Sequence, residues 1–192
     1  MSSNVTKFVA VGLDPSLSNF GAAKLELSFN DDLKIVGHKL LDLGLSQTSP
    51  DKKKTRRKNE EDRGRAVEHY NFLKSFLQNT DFVFCELPVG SQSARAMASY
   101  GICVGITASI ELPFFVVSPH DVKLAACKNK QASKADMVAW GLHKFPHGNW
   151  LKSSSQAALT KNEHIADALA SIVAGVKTEQ FKQALLFMSR RK

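Results

Sequence analysis

The chain has 192 residues, 43% hydrophobic and 23% charged, the proportions of one globular domain with room for a substantial core. Its formal net charge of +8 points to a polyanionic partner, nucleic acid or an acidic membrane, and six of those charges come from Lys52, Lys53, Lys54, Arg56, Arg57 and Lys58. Cys85, Cys103 and Cys127 are odd in number, widely spaced and set in apolar surroundings, which fits reduced thiols better than disulfides or a zinc site.

The start, MSSNVTK, lacks the apolar core of a secretory signal. The longest apolar stretch, 101–117, is interrupted by Glu111 and Pro113 and is too short to span a bilayer. The expected location is the cytosol.

Residues 8–13 form an apolar run bounded by Pro15 and read as a strand buried on both faces. It ends in Asp14. Two readings of that residue are open: a turn residue that stops the strand, or a carboxylate that needs a cation, a donor or water. Residues 21–29 and 33–43 read as two further strands separated by a polar break, and short links between three strands favour an antiparallel meander. Residues 46–62 are polar, contain Pro50 and the basic cluster, and lack apolar periodicity, so they read as a flexible loop, either solvated or contacting DNA.

From Arg63 onward Ala66, Tyr70, Leu73, Phe76 and Leu77 recur at helical spacing, giving an amphipathic helix to about Asn79. Residues 81–85 make a buried strand that ends in Glu86, a second strand-end carboxylate. Ser91 is placed to cap a long helix over 92–111, rich in small residues that let another backbone approach closely. A fifth strand covers 114–117, helices follow over 119–126 and 132–143, 149–156 is loop, and a closing helix spans 159–176 before a helical tail over 177–192. This order predicts an α/β domain with a mixed sheet whose later strands are parallel.

On the closing helix His164 and Asp167 are three residues apart and share a face. Such a pair alone is either a surface pair or a ligand pair. Together with Asp14 and Glu86 it makes the oxygen-rich set that hard divalent cations take. Two such ions roughly 4 Å apart can hold a scissile phosphate. Glu163 points a different way on the helix and ranks behind the other four as a ligand.

The segments VGLDPSLSNFG, DFVFCELP, the stretch from Val122 and Lys123 to Lys134, and EHIADAL, in this order and spacing, resemble the RuvC family of Holliday-junction resolvases. The resemblance covers most of 8–175. It implies the ribonuclease-H-like fold, a five-stranded mixed sheet with three antiparallel strands followed by parallel ones, and Asp14 beside Glu86. It further implies that Asp14, Glu86, His164 and Asp167 bind two Mg2+ or Mn2+ ions, and that Lys123 and Lys134 lie near the scissile phosphate. The implied activity is a metal-dependent endonuclease that nicks Holliday junctions or related branched DNA and leaves 5′-phosphate ends. A homodimer is implied too, with the small-residue helix at its interface, in a bacterial or phage-infected cell.

Two departures bear on substrate. Val89 stands where some resolvases carry an aromatic that stacks on bases, a contact worth about 1 to 3 kcal/mol per base. The basic segment Lys52, Lys53, Lys54, Arg56, Arg57 and Lys58 is longer and more charged than the family pattern. These residues, with Val89 and Arg95, are the expected DNA contacts, and three-way or forked DNA joins the candidate substrates. Two other readings stay open: a catalytically silent branched-nucleic-acid-binding protein of the same fold, and a sugar-kinase or actin-like ATPase. The ATPase would need a second such domain and a Gly-rich phosphate loop, and the chain shows no such loop.

Overall fold

The computed structural model describes residues 5–50, 57–87, 90, 92–155 and 158–189. The strands are β1 (Thr6–Asp14), β2 (Asn19–Phe29), β3 (Ile35–Gln47), β4 (Phe82–Glu86) and β5 (Phe114–Val117). The helices are α1 (Lys58–Phe76), α2 (Ala94–Ala108), α3 (Pro119–Cys127), α4 (Lys134–Lys144), α5 (Asn162–Gly175) and α6 (Glu179–Met188). They form one sheet in the order β3-β2-β1-β4-β5. The first three strands are antiparallel neighbours, and β4 and β5 run parallel to β1 and to each other.

Alternation along β1 builds two cores. Phe8 and Ala10 point into a large apolar layer shared with α5, Phe82 and Phe84, while Val11 and Leu13 point to the opposite layer with Leu73, Phe76 and Ile106. The strand is therefore buried on both faces, as its continuous apolar run predicts. The rings of Phe82, Phe84, Phe115 and Phe181 pack against one another at centroid separations of 4.9 to 6.5 Å, which fastens α6 to the sheet.

Helix α5 crosses the sheet at very short range because two strand residues have no side chain. A Cβ on Gly12 would lie 1.9 Å from the Ala168 carbonyl oxygen, and one on Gly21 would lie 2.1 Å from that of His164. Gly21 pairs with Asp14 across β1 and β2. The first turn of α5 thus rests directly over the end of β1.

Most element boundaries shift by a few residues from the sequence reading, and the shifts in β3, α1 and α2 have identifiable causes. β3 begins at Ile35 because Leu33 takes a left-handed turn conformation (φ 57°), and it continues to Gln47. Helix α1 starts at Lys58, inside the stretch read as loop, because its extra turn is fixed by polar contacts of Asp62 and Arg65 that apolar periodicity does not register. Helix α2 is shorter, 94–108, and Ser93 caps it by accepting from the Ala96 amide, whereas Ser91 lies outside the described residues.

Candidate active site

Parallel pairing of β1 with β4 sets Leu13 opposite Cys85, so the next residue of each strand, Asp14 and Glu86, emerges at the same edge of the sheet. Burial pushes the Glu86 carboxyl up to about 8, helped by the negative charges of Asp14 and Asp167, with Lys123 opposing. Asp167 is pushed up to about 7 by burial and by the Asp14 charge, against the pull of His164 and Lys123. Three carboxylates from β1, β4 and α5 therefore crowd one place.

His164 completes the group. Its Nδ1 is 2.6 Å from Asp14 Oδ2. Burial alone would lower the imidazole pKa, but the bond to Asp14 and the surrounding carboxylates outweigh it and raise the pKa. Asp167, one turn further along α5, keeps its Oδ1 buried with no hydrogen-bond partner. A buried carboxylate oxygen left unpaired is costly, and a cation is one way to satisfy it.

The two lysines approach from separate helices. Lys123 on α3 acts electrostatically on both Glu86 and Asp167. Lys134, the first residue of α4, donates to Glu163 Oε1 at 2.8 Å. Ser133 and Asp136 cap α4 reciprocally and so fix the point from which Lys134 projects.

Glu163 does not point away from the site, contrary to the helical-wheel reading. Its Oε1 lies 3.5 Å from His164 Nε2 and its side chain is largely buried. Consecutive helix residues diverge at the backbone, yet a glutamate in the first turn has the reach to fold back beside its neighbour.

Sequence reasoning also missed a buried clamp behind Asp14. Arg65 and His69 on α1 both hold the Leu17 carbonyl in the turn that follows Asp14, and Arg65 further donates to Ser18 and Thr48. A polar i, i+3, i+7 series, Asp62, Arg65 and His69, on the inner face of α1 was the available signal, and an apolar template passes over it. Arg95 belongs to this network: its guanidinium holds Asp62 bidentately, with Nη2 to Oδ1 at 2.6 Å.

Of the expected DNA contacts, Lys52, Lys53, Lys54, Arg56 and Val89 lie outside the described residues. Arg57 and Lys58 are exposed at the start of α1, where Lys58 pairs with Glu61 at 2.9 Å. The three cysteines are free thiols. Among the described residues no helix is long and apolar enough to cross a membrane.

Among the described residues no three His, Cys, Asp or Glu side chains are arranged as they would be around a bound metal ion. In donor chemistry, however, the set fits a hard divalent cation: oxygen-rich, doubly repelled, and with the Asp167 oxygen unpartnered.

No family model and no curated protein matches the chain in sequence. Solved structures do match it. RuvC of T. thermophilus in complex with a Holliday junction substrate is 19% identical, with a TM-score of 0.59 over 87% of this chain and 92% of that one. Another Thermus thermophilus RuvC structure is 22% identical, with a TM-score of 0.56 over 86% and 92%. Fowlpox virus resolvase, solved with its substrate Holliday junction DNA, is 17% identical, with a TM-score of 0.51 over 93% and 99%. With its sheet order and its helices on both faces, the chain is built on the ribonuclease-H-like fold of the RuvC-type resolvases.

Proposed function

We propose that the chain is a metal-dependent, structure-selective endodeoxyribonuclease that nicks Holliday junctions or related branched DNA. The observation that carries this reading is the convergence of Asp14, Glu86, Asp167 and His164 at one sheet edge, with one Asp167 oxygen unsatisfied by the protein. The three carboxylates and His164 would hold Mg2+ or Mn2+, two ions per site. Such cations, when bound, supply positive charge for in-line attack of water on the phosphodiester, which leaves a 5′-phosphate.

The chain's own groups have distinct tasks in this scheme. Lys123 and Lys134 neutralise the charge that grows on the phosphate oxygens in the transition state. Asp14 orients the His164 ring through Nδ1, which leaves Nε2 to serve either as a metal ligand or, where the carboxylates alone hold the ions, as the carrier of a proton. Lys52, Lys53, Lys54, Arg56, Arg57 and Lys58, which lead in sequence from β3 into the first residue of α1, would supply the salt-dependent grip on the DNA backbone, with Arg95 and Val89 as further DNA contacts.

Two copies would act together, one on each strand. Supporting this, Met97, Gly101, Val104, Gly105 and Ala108 form an exposed face of α2, and the space around Gly101 and Gly105 is open. Small residues there allow a second α2 to approach closely.

A cleavage panel tests the reading: four-way, three-way, forked and linear DNA, with magnesium or manganese, and the nicks and their end groups mapped. Nicks confined to branched substrates and bearing 5′-phosphates are expected. Tight binding of the junction without nicking in either metal would instead establish the catalytically silent alternative.

A further inference from the structure

Lys134 has an unusual position for a group that must meet a phosphate at a defined point. Its side chain is 80% exposed, on four rotatable bonds, and an exposed lysine left to itself samples a wide volume of solvent. Its single ion-pair partner among the described residues is Glu163, at 2.8 Å. The Glu163 side chain is 14% exposed, so the pair is anchored within the mouth of the site and not in open water.

Both ends of this tether are rigid. On α4, Ser133 and Asp136 close a capping box around the residue that carries the lysine. On α5, Asn162 is fully buried, and its amide group both donates to the Leu151 carbonyl and accepts from the Leu151 amide, at 2.8 and 2.9 Å. Glu163 follows directly. Its Oε1 faces the Nε2 edge of His164 at 3.5 Å, while the Nδ1 edge of the same ring meets Asp14 at 2.6 Å. A continuous series therefore runs from Lys134 through Glu163 and His164 to Asp14.

We propose that Glu163 is a positioning residue, which holds the Lys134 ammonium at the acidic site in readiness for the scissile phosphate. This inference rests on the nuclease reading above. The hydrogen-bond inventory permits it: an ammonium has three donors, and one shared with Glu163 leaves two for phosphate oxygens. Glu163, as an acceptor only, has nothing of its own to offer a phosphate. Its effect on the reaction passes through Lys134.

The test is a double-mutant cycle with Glu163→Gln, Lys134→Gln and the double variant, measured as kcat and KM for nicking a four-way junction in magnesium. Glu163→Gln is expected to lower kcat about tenfold, the scale of a coupled pair, with KM, the metal half-saturation and the melting temperature unchanged. In the Lys134→Gln background the same change is expected to have no further effect. A tenfold loss that persists in that background overturns the proposal, as does a raised metal requirement in Glu163→Gln, which would make Glu163 a ligand. A wild-type protein that nicks no branched substrate overturns the nuclease reading itself, and that outcome is seen before any variant is made.

Discussion

Arg65 and His69 meet at one acceptor, the carbonyl oxygen of Leu17, at 2.9 and 3.0 Å. Because that oxygen only accepts, the His69 Nε2 carries the proton and Nδ1 accepts from the Ser46 hydroxyl. Thr48 adds a third donor to the same carbonyl. The turn after Asp14 is thus held from α1 and from the end of β3, and the strand-end carboxylate sits on a fixed base.

Arg65→Met should expose the worth of this clamp. It leaves the Leu17 carbonyl short of a charged donor and removes the bonds to Ser18 and Thr48. The expected loss is about 3 kcal/mol. Urea denaturation checks it: the midpoint should fall at constant slope. A midpoint within error of wild type would mean that the turn is held by the sheet alone.

His69 predicts an acid-sensitive fold. Burial lowers its pKa from 6.5, and the nearby Arg65 charge adds to this, while the bond to Leu17 opposes. The folded state therefore favours the neutral ring. The stabilisation is complete above the unfolded value of about 6.5 and is lost as pH falls toward the lower folded value. A stability-pH curve measured below pH 6.5 should be steeper for wild type than for His69→Gln; parallel curves would remove His69 from the account.

Asp14→Asn should trade activity for stability in the metal-free protein. Glu86 and Asp167 are raised from 4.5 and 3.8 to about 8 and about 7, with burial the first cause and the Asp14 charge the next. Raised carboxyls mean that the folded state binds protons more tightly than the unfolded chain, so stability falls as pH rises through this range. Removing the Asp14 charge should raise the metal-free melting temperature at pH 8. It should also abolish stabilisation by magnesium and lower nicking about a hundredfold or more. Calorimetry with and without metal, beside a nicking assay, separates these effects.

Gly21→Ala should damage the site without touching a charged group. The new methyl would meet the His164 carbonyl oxygen at 2.1 Å, so α5 must move away from β2. Overpacking of this kind costs about 1 to 3 kcal/mol. Displacing His164 by about 1 Å from Asp14 should lower nicking about a hundredfold. An active, fully stable variant would show that α5 has slack where the glycine suggests none.

Val104→Arg tests the proposed dimer face. Val104 is 42% exposed on α2, so the larger side chain is accommodated in the monomer. Sedimentation should show wild type as a dimer and the variant as a monomer with unchanged circular dichroism. A dimeric variant would place the interface elsewhere.

The local features legible in the sequence were those with a short-range signature. The apolar run of β1, the two strands that finish in Asp14 and Glu86, the i, i+3 pair His164 and Asp167, and the sheet's mixture of antiparallel and parallel strands could all be read from patterning and connection lengths. Strand-end carboxylates stand out because an acidic residue closes an apolar run, and the topology then has few ways to arrange them.

Tertiary structure alone decided which side chains meet. Gly12 and Gly21 look like ordinary strand glycines until α5 is laid across them at contact distance. Glu163 was assigned to another direction from its place on the helix, yet side-chain reach and the partner Lys134, 29 residues away, bring it into the site. Arg65, His69 and Arg95 gave no apolar periodicity to read, because their role is to satisfy buried polar groups on other elements. Periodicity records which face of an element is buried. It carries no information on which distant carbonyl or carboxylate that face will find, and here those long-range pairings set both the charge balance and the positions of the clustered side chains.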